Sequence, residues 1–235
     1  MAKTDRRQFV VNEAYRLLSN PFLCTNHFQP IMLNASETIS MQVASVDEWH
    51  RLDYVNVFTE WLEIACQQHR YNYELWHQED IARSPDVSDS EISKVKRAID
   101  LLNQKRNDWI EKLDDWLTAY LEALQITLSA TAYQNSETPG SMIDRLSIIA
   151  IRIYHLDEQL DRTDTDDAHR DKVLTRSAIC RVQQSELGQC LDRAVSEILT
   201  GVKRHRTYRQ FKMYNDPSLN PYLYRRDANT AKRAS

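Results

Sequence analysis

The sequence predicts an all-α protein: an elongated antiparallel bundle of four long helices with an N-terminal helical extension. Three observations carry this expectation. Glycine and proline number only 3 and 6 in 235 residues, whereas a sheet protein of this length needs many more turn residues. Apolar residues recur at spacings of three and four over long windows, as one face of a helix requires. Breakers such as Arg83-Ser84-Pro85-Asp86 and Asn215-Asp216-Pro217 cut the chain into segments of helical length. The composition, 42% hydrophobic and 27% charged, supplies enough apolar mass for a core.

Residues 1–53 form the extension. One helix is expected from Thr4 to Leu18, ended by Ser19-Asn20-Pro21, and a short one near Ser36 after a loop holding Pro30. Residues 54–214 form the four-helix bundle. The first long helix begins at Asp47 or Tyr54, with Ser45 and Glu48 at capping-box spacing, and runs to Ala82. Ser88 and Glu91 form a second such box and open a helix of roughly 40 residues, about 60 Å long. Its stripe runs through Val95, Ile99, Leu102, Arg106, Ile110, Leu113 and Leu117. Thr138 caps the third helix with Pro139 in its first turn. Apolar residues on more than one face of that helix imply packing on several sides. The fourth helix is expected from Asp166 to about Tyr214, bent at Gly188 or Gly201. Residues 215–235 form a basic extended tail with Tyr222 and Tyr224 as anchors.

No apolar run approaches the ~20 residues of a membrane span. The first residues, MAKTDRRQFVVNEAYRLL, lack the apolar centre of a secretory signal, so a cytoplasmic location is expected. Cys24, Cys66, Cys180 and Cys190 show no CxxC pair and read as scattered thiols. The net charge is −4, yet the chain beyond Val202 is basic, including Lys203, Arg204, Arg209, Lys212, Arg225 and Arg226. That end is either a set of cations near a helix C-terminus with a solvated tail, or a surface for an acidic partner. Overall acidity, and aromatic residues that do not interleave with a basic groove, argue against nucleic acid.

The first long helix carries the clearest functional signal. Its inward stripe is apolar at Phe58, Leu62 and Ala65, then turns polar at His69, Asn72, Trp76, Asp80 and Arg83. Folding the first two long helices about Pro85 brings His69 level with Asn103 to Arg106. Asn107 flanks them. Buried ions and amides must pair, face water or meet a ligand, so the cluster is an internal network, a ligand site or a subunit interface. In the ligand reading Arg106 and Arg83 hold an anion, because a guanidinium offers paired donors to phosphate. His69 is then the acid–base group. Asn72, Asn103 and Asn107 orient the ligand beside Trp76, and Asp80 takes Mg²⁺. The third helix, shorter than the second, reaches only to Arg106, so a homodimer is expected to cover the rest.

Other motifs carry less. Glu74 and His77 form an ExxH, but Glu74 points off the stripe and no matching set appears for a di-iron site. Glu111 and Asp114 form an ExxD, but Glu111 lies more than two turns from the height of Glu79. Asp144, Arg145, Arg152 and His155 interrupt the third helix and either pair within the bundle or extend the site.

Four segments, QHRYNYELWHQEDIAR, VKRAIDLLNQKRNDWIEKLDDWL, TPGSMIDRLSIIAIRIYHLDEQ and YRQFKMYNDPSLNPYLY, resemble the bacterial family DUF4254, a domain of unknown function. The likeness covers about Trp49 to Tyr224. It implies no activity, and it marks His69, Asn72, Trp76, Asp80, Arg83, Arg106, Asn107, Asp108, Asp144 and Arg145 as motif positions. The functional expectation is an enzyme or binder for a phosphorylated or other anionic small molecule, its cofactor unknown. The alternative is a helical adaptor that docks an acidic partner through its basic C-terminal end.

Overall fold

The computed structural model describes residues 32–223. The helix expected over Thr4–Leu18, Cys24 and the chain beyond residue 223 lie outside the described residues. Five α-helices make up the described fold: α1 (Ala35–Trp49), α2 (Glu60–Ala82), α3 (Asp89–Ala123), α4 (Pro139–Leu160) and α5 (Asp167–Leu199). The all-α expectation holds. The strand content is one parallel pairing of Tyr133–Gln134 with Lys203–Arg204, which ties the segment after α3 to the segment after α5.

The helix starts follow their side chains. Asn34 accepts from the Glu37 amide (2.9 Å) and Asp166 from the His169 amide (2.8 Å), each satisfying a donor that a first turn leaves free. Thr138 and Ser141 cap α4 reciprocally, with Pro139 at its first position. Ser88 caps α3, which spans 35 residues, about 52 Å.

Two boundaries differ from expectation. Ser45 and Glu48 lie inside α1 and open no helix: Ser45 is buried, and the Glu48 carbonyl accepts the Arg51 and Leu52 amides (2.9 Å each) at the end of α1. Residues 50–59 instead fold back along α2, where the Tyr54 hydroxyl donates to Gln67 Oε1 (3.0 Å) and the Asn56 amide to the Glu63 carbonyl (3.0 Å). The last helix stops at Leu199, not Tyr214. Gly201 takes a left-handed φ of 72°, and the amides of Gly201 and Val202 bond back to Ile198 (3.0 Å) and Glu197 (2.9 Å), a glycine-dependent helix ending. A Cβ at that glycine would stand 2.2 Å from the Thr127 carbonyl oxygen.

The chain released at Gly201 runs back along α3 as a strap. His205 donates to the Asp114 carbonyl (2.9 Å), Thr207 to Asp115 (2.9 Å), Arg209 to Asp115 (2.7 Å) and Glu111 (3.1 Å), and Lys212 to the Asn103 carbonyl (3.3 Å). The α3 carboxylates Glu111 and Asp115 thus pair with Arg209 of the basic end.

Hydrogen bonds between α2, α3, α4 and α1 fix the packing. Gly140 allows the N-terminus of α4 to meet α3: its amide donates to Asp114 (2.8 Å), and a Cβ there would lie 2.7 Å from the Ile110 carbonyl oxygen. From that end α4 runs alongside α2, with Asp144 beside Gln68 and Asn72, and His155 stacked on Trp76. α1 is part of the same core. Met41, Val46 and Trp49 are buried, Gln42 donates to the Ile143 carbonyl (3.0 Å), and the Ala35 amide donates to Asp192 on α5 (2.7 Å). Trp49 lies against His69 and Tyr73, so the chain itself covers a stretch of α2 expected to meet a second copy.

Candidate functional site

The polar stripe of α2 divides into a closed network below and an open pocket above. Asp144 is the hub of the network. It is 5% exposed, flanked on α4 by the fully buried Ile143 and Leu146. Its Oδ1 accepts from Gln68 Nε2 (2.5 Å), Asn72 Nδ2 (2.9 Å) and Arg106 Nε (2.7 Å), while Oδ2 accepts from the Arg106 terminal nitrogen. Three helices thus converge on one carboxylate, and Arg106 supplies the opposite charge. This bidentate arrangement holds the Arg106 pKa above its ordinary value, chiefly through the hydrogen bonds to Asp144. The carboxylate's charge is matched and its lone pairs are occupied, as burial demands.

His69 sits deeper, fully buried. Its Nε2 faces the Gln42 carbonyl (3.0 Å), so that nitrogen carries the hydrogen. Its Nδ1 therefore accepts from the Ser147 hydroxyl (2.7 Å), whose oxygen accepts in turn from Asn72 (2.9 Å). Burial drives the imidazole pKa down to about 3, against a smaller opposing effect of the Gln42 hydrogen bond. The expected acid–base role does not fit this position. The ring is neutral at ordinary pH, has both nitrogens committed, and is absent from the pocket wall. His69 is a positioning residue that ties α1 to α2 and α4.

Above the network, α2, α3 and α4 enclose a pocket of about 360 Å³. Leu75, Trp76, Ile148 and Ile151 give it apolar walls, and Asn72, Glu79, Asp80, Arg83 and Arg106 supply polar groups. The structure therefore brings five expected residues, Asn72, Trp76, Asp80, Arg83 and Arg106, to one cavity. Asn103 and Asn107 do not line it. The Asn103 carbonyl serves the strap through Lys212. Arg83 is exposed and ion-paired to Glu79, one helical turn earlier. Asp80 is exposed at the rim, and among the described residues it is not in a group of His, Cys or carboxylate side chains able to share one metal ion.

The other tempting motifs resolve into structure. Glu111 binds Arg209 and the Gln210 amide, and Asp114 receives the Gly140 amide, so this ExxD pair fastens the strap and α4 to α3. Burial pushes the Asp114 pKa up to about 6. Glu74 pairs with Arg70 and leaves His77 without it. Arg145 pairs with Glu137. Cys66 and Cys180 are buried and Cys190 is exposed; burial pushes the Cys66 thiol up to about 12.

A family model described as "Protein of unknown function (DUF4254)" matches residues 62–207. The chain belongs to the DUF4254 family. No curated protein and no solved structure matches it significantly. The span that marks this DUF4254 protein contains Asp144, all its hydrogen-bond donors and every residue named for the pocket, whereas Gln42, Trp49 and His50 of the α1 side lie before it. Among the described residues, His50, His77 and His155 form a cluster of potential metal ligands. Sequence reading missed it because His50 is far from the α2 stripe in the chain. It also missed Gln68 and Ser147. Ser147 lies three residues beyond Asp144, hence on the same helical face, which is the signal that exposes it.

Two outcomes test the network. Arg106→Leu leaves Asp144 buried without its counter-charge and is expected to lower stability by about 3 kcal/mol, the lower end for breaking a buried pair because the guanidinium retains some contact with water. Adding Asp144→Asn removes the stranded charge and recovers at least about 1 kcal/mol of that loss. Denaturant unfolding reads both, and strictly additive effects contradict the pairing. For His69, the folded pKa lies below the ordinary 6.5. Its contribution to stability is therefore complete above pH 6.5 and is lost as pH falls toward 3. Between pH 7 and pH 5 the wild type is expected to lose about 2 kcal/mol more than His69→Gln. Equal losses in chemical denaturation would remove His69 from the account.

Proposed function

We propose that the pocket above Asp144 binds a small anionic molecule, either as a binding site or as the substrate site of an enzyme. The observation that carries this reading is the placement of Arg106. Asp144 uses Nε and one terminal nitrogen of the guanidinium, which holds it in a fixed orientation while the side chain still borders the cavity. A preset cation loses little freedom when it meets a ligand, and a guanidinium has five donors, more than Asp144 consumes. Trp76, Leu75, Ile148 and Ile151 provide an apolar surface of the kind that buries a ring or short chain. The volume of about 360 Å³ suits a molecule of metabolite size. Arg83, paired on one side with Glu79, adds a second cation at the rim.

The adaptor reading is weaker for the described part of the basic end. Lys203 is paired with Glu197, and Arg209 with Glu111 and Asp115, so these cations already have acidic partners on their own chain.

Calorimetric titration with phenyl phosphate and with nucleoside monophosphates tests the proposal. Binding at millimolar or better affinity is expected for at least one, weakened at least tenfold by Trp76→Ala and by Arg83→Gln, with no binding of the uncharged analogue. Trp76 and Arg83 lie outside the Asp144 network, so these variants separate ligand contacts from folding. Absence of binding by every anionic probe, or binding indifferent to both substitutions, contradicts the proposal.

A further inference from the structure

His50, His77 and His155 come from three helices or their ends: His50 directly follows α1, His77 is on α2 and His155 on α4. Each offers one ring nitrogen within 4.8 Å of the other two. Their ring centroids lie 5.3 Å (His50–His77), 5.3 Å (His50–His155) and 5.8 Å (His77–His155) apart. In all three rings Nδ1 is committed to an oxygen that can only accept. His50 Nδ1 meets the Val46 carbonyl (2.7 Å), His77 Nδ1 the Tyr73 carbonyl (2.9 Å), and His155 Nδ1 a Glu158 carboxylate oxygen (2.6 Å). Each Nδ1 therefore carries the hydrogen, and each Nε2 keeps a free lone pair. The Nε2 atoms of His50 and His155 are buried and have no hydrogen-bond partner.

Aromatic packing accounts for the planes of these rings but not for those lone pairs. Tyr154 stacks on His50 at 4.1 Å and Trp76 on His155 at 4.9 Å, contacts that any flat ring could make. Buried acceptors without donors are rare in folded proteins and call for a specific cause. We propose that His50, His77 and His155 bind a divalent transition-metal ion of the zinc class through Nε2. Three neutral imidazoles suit zinc, copper or nickel and not magnesium or calcium, which prefer oxygen. Three protein ligands leave a fourth position for water or an exogenous ligand, the pattern of catalytic rather than structural zinc. The Nδ1 partners are the outer hydrogen bonds that metal-bound histidines characteristically make, with Glu158 completing a carboxylate–histidine–metal relay.

Trp76 connects this centre to the pocket, since it stacks on His155 and also lines the cavity. The metal proposal is nevertheless independent of what the pocket binds.

The test is zinc uptake by the full chain, stripped with chelator, re-equilibrated with Zn²⁺ and measured by elemental analysis and by competition with a chromophoric chelator. One zinc per chain is expected. His77→Ala should weaken binding at least 100-fold, and Glu158→Gln, which leaves all three ligands in place, by 10–100-fold. Cobalt substitution should give the visible absorption of a four-coordinate nitrogen site, lost in His77→Ala, and Mg²⁺ should not compete. Circular dichroism establishes that the variants are folded. Failure of the wild type to take up stoichiometric zinc overturns the proposal. So does zinc uptake unchanged in both His77→Ala and Glu158→Gln.

Discussion

Asp144 carries a negative charge into the interior of the bundle, and the positions of three helices follow from the need to surround it. Its two oxygens take donors from Gln68 and Asn72 on α2 and a bidentate guanidinium from Arg106 on α3. Apolar packing alone tolerates sliding of one helix past another, because Leu and Ile surfaces are similar from turn to turn. A carboxylate held by four directed hydrogen bonds does not. The height at which α4 sits against the α2–α3 hairpin is therefore set at Asp144, and Gly140 and Asp114 reinforce it one helical turn earlier. The pocket is a consequence: it lies on the far side of Arg106 from Gly140, between α2, α3 and α4.

Much of this was legible in the chain, for physical reasons that differ from residue to residue. Helix ends at Ser88, Thr138 and Asp166 could be read because capping is local, decided within three residues. The α2 stripe could be read because helical periodicity puts Asn72, Trp76, Asp80 and Arg83 on related faces. The partner of Arg106 could not be selected. Asp144 is 38 positions away and was one of several charges on α4, and only the tertiary packing of α4 separates it from Arg145, which turns outward to Glu137. His69 looked like a reactive imidazole because a buried histidine and a catalytic one share the same sequence pattern. The distinction lies in Gln42 and Ser147, on two other helices. The strap was read as helix because nothing in residues 202–214 forbids one. The left-handed turn at Gly201 and the carboxylates of α3 decide otherwise.

The same arrangement places two kinds of chemistry side by side. Below Trp76 the Asp144 carboxylate and both ring nitrogens of His69 are matched to partners, and the matching leaves His69 neutral and inert. Beside Trp76 the buried Nε2 atoms of His50 and His155 have no hydrogen-bond partner, and on the ring's pocket side lies a cavity with a fixed guanidinium. Unsatisfied polar groups next to a cavity are where folded proteins concentrate function, because satisfying them internally would remove the ability to bind. No helix among the described residues is long and apolar enough to cross a membrane.

If Asp144 sets the mutual position of α2, α3 and α4, neutralising it should loosen all three together. Hydrogen exchange on Asp144→Asn, under conditions where the protein remains folded, tests this most directly. The account predicts a common loss of protection in α2 around Gln68 to Asn72, in α3 around Leu102 to Arg106 and in α4 around Asp144 to Ile151, with α5 near Leu191 and Val195 unchanged. Loss confined to α4, or spread evenly over all five helices, would contradict the claim that one carboxylate organises the bundle.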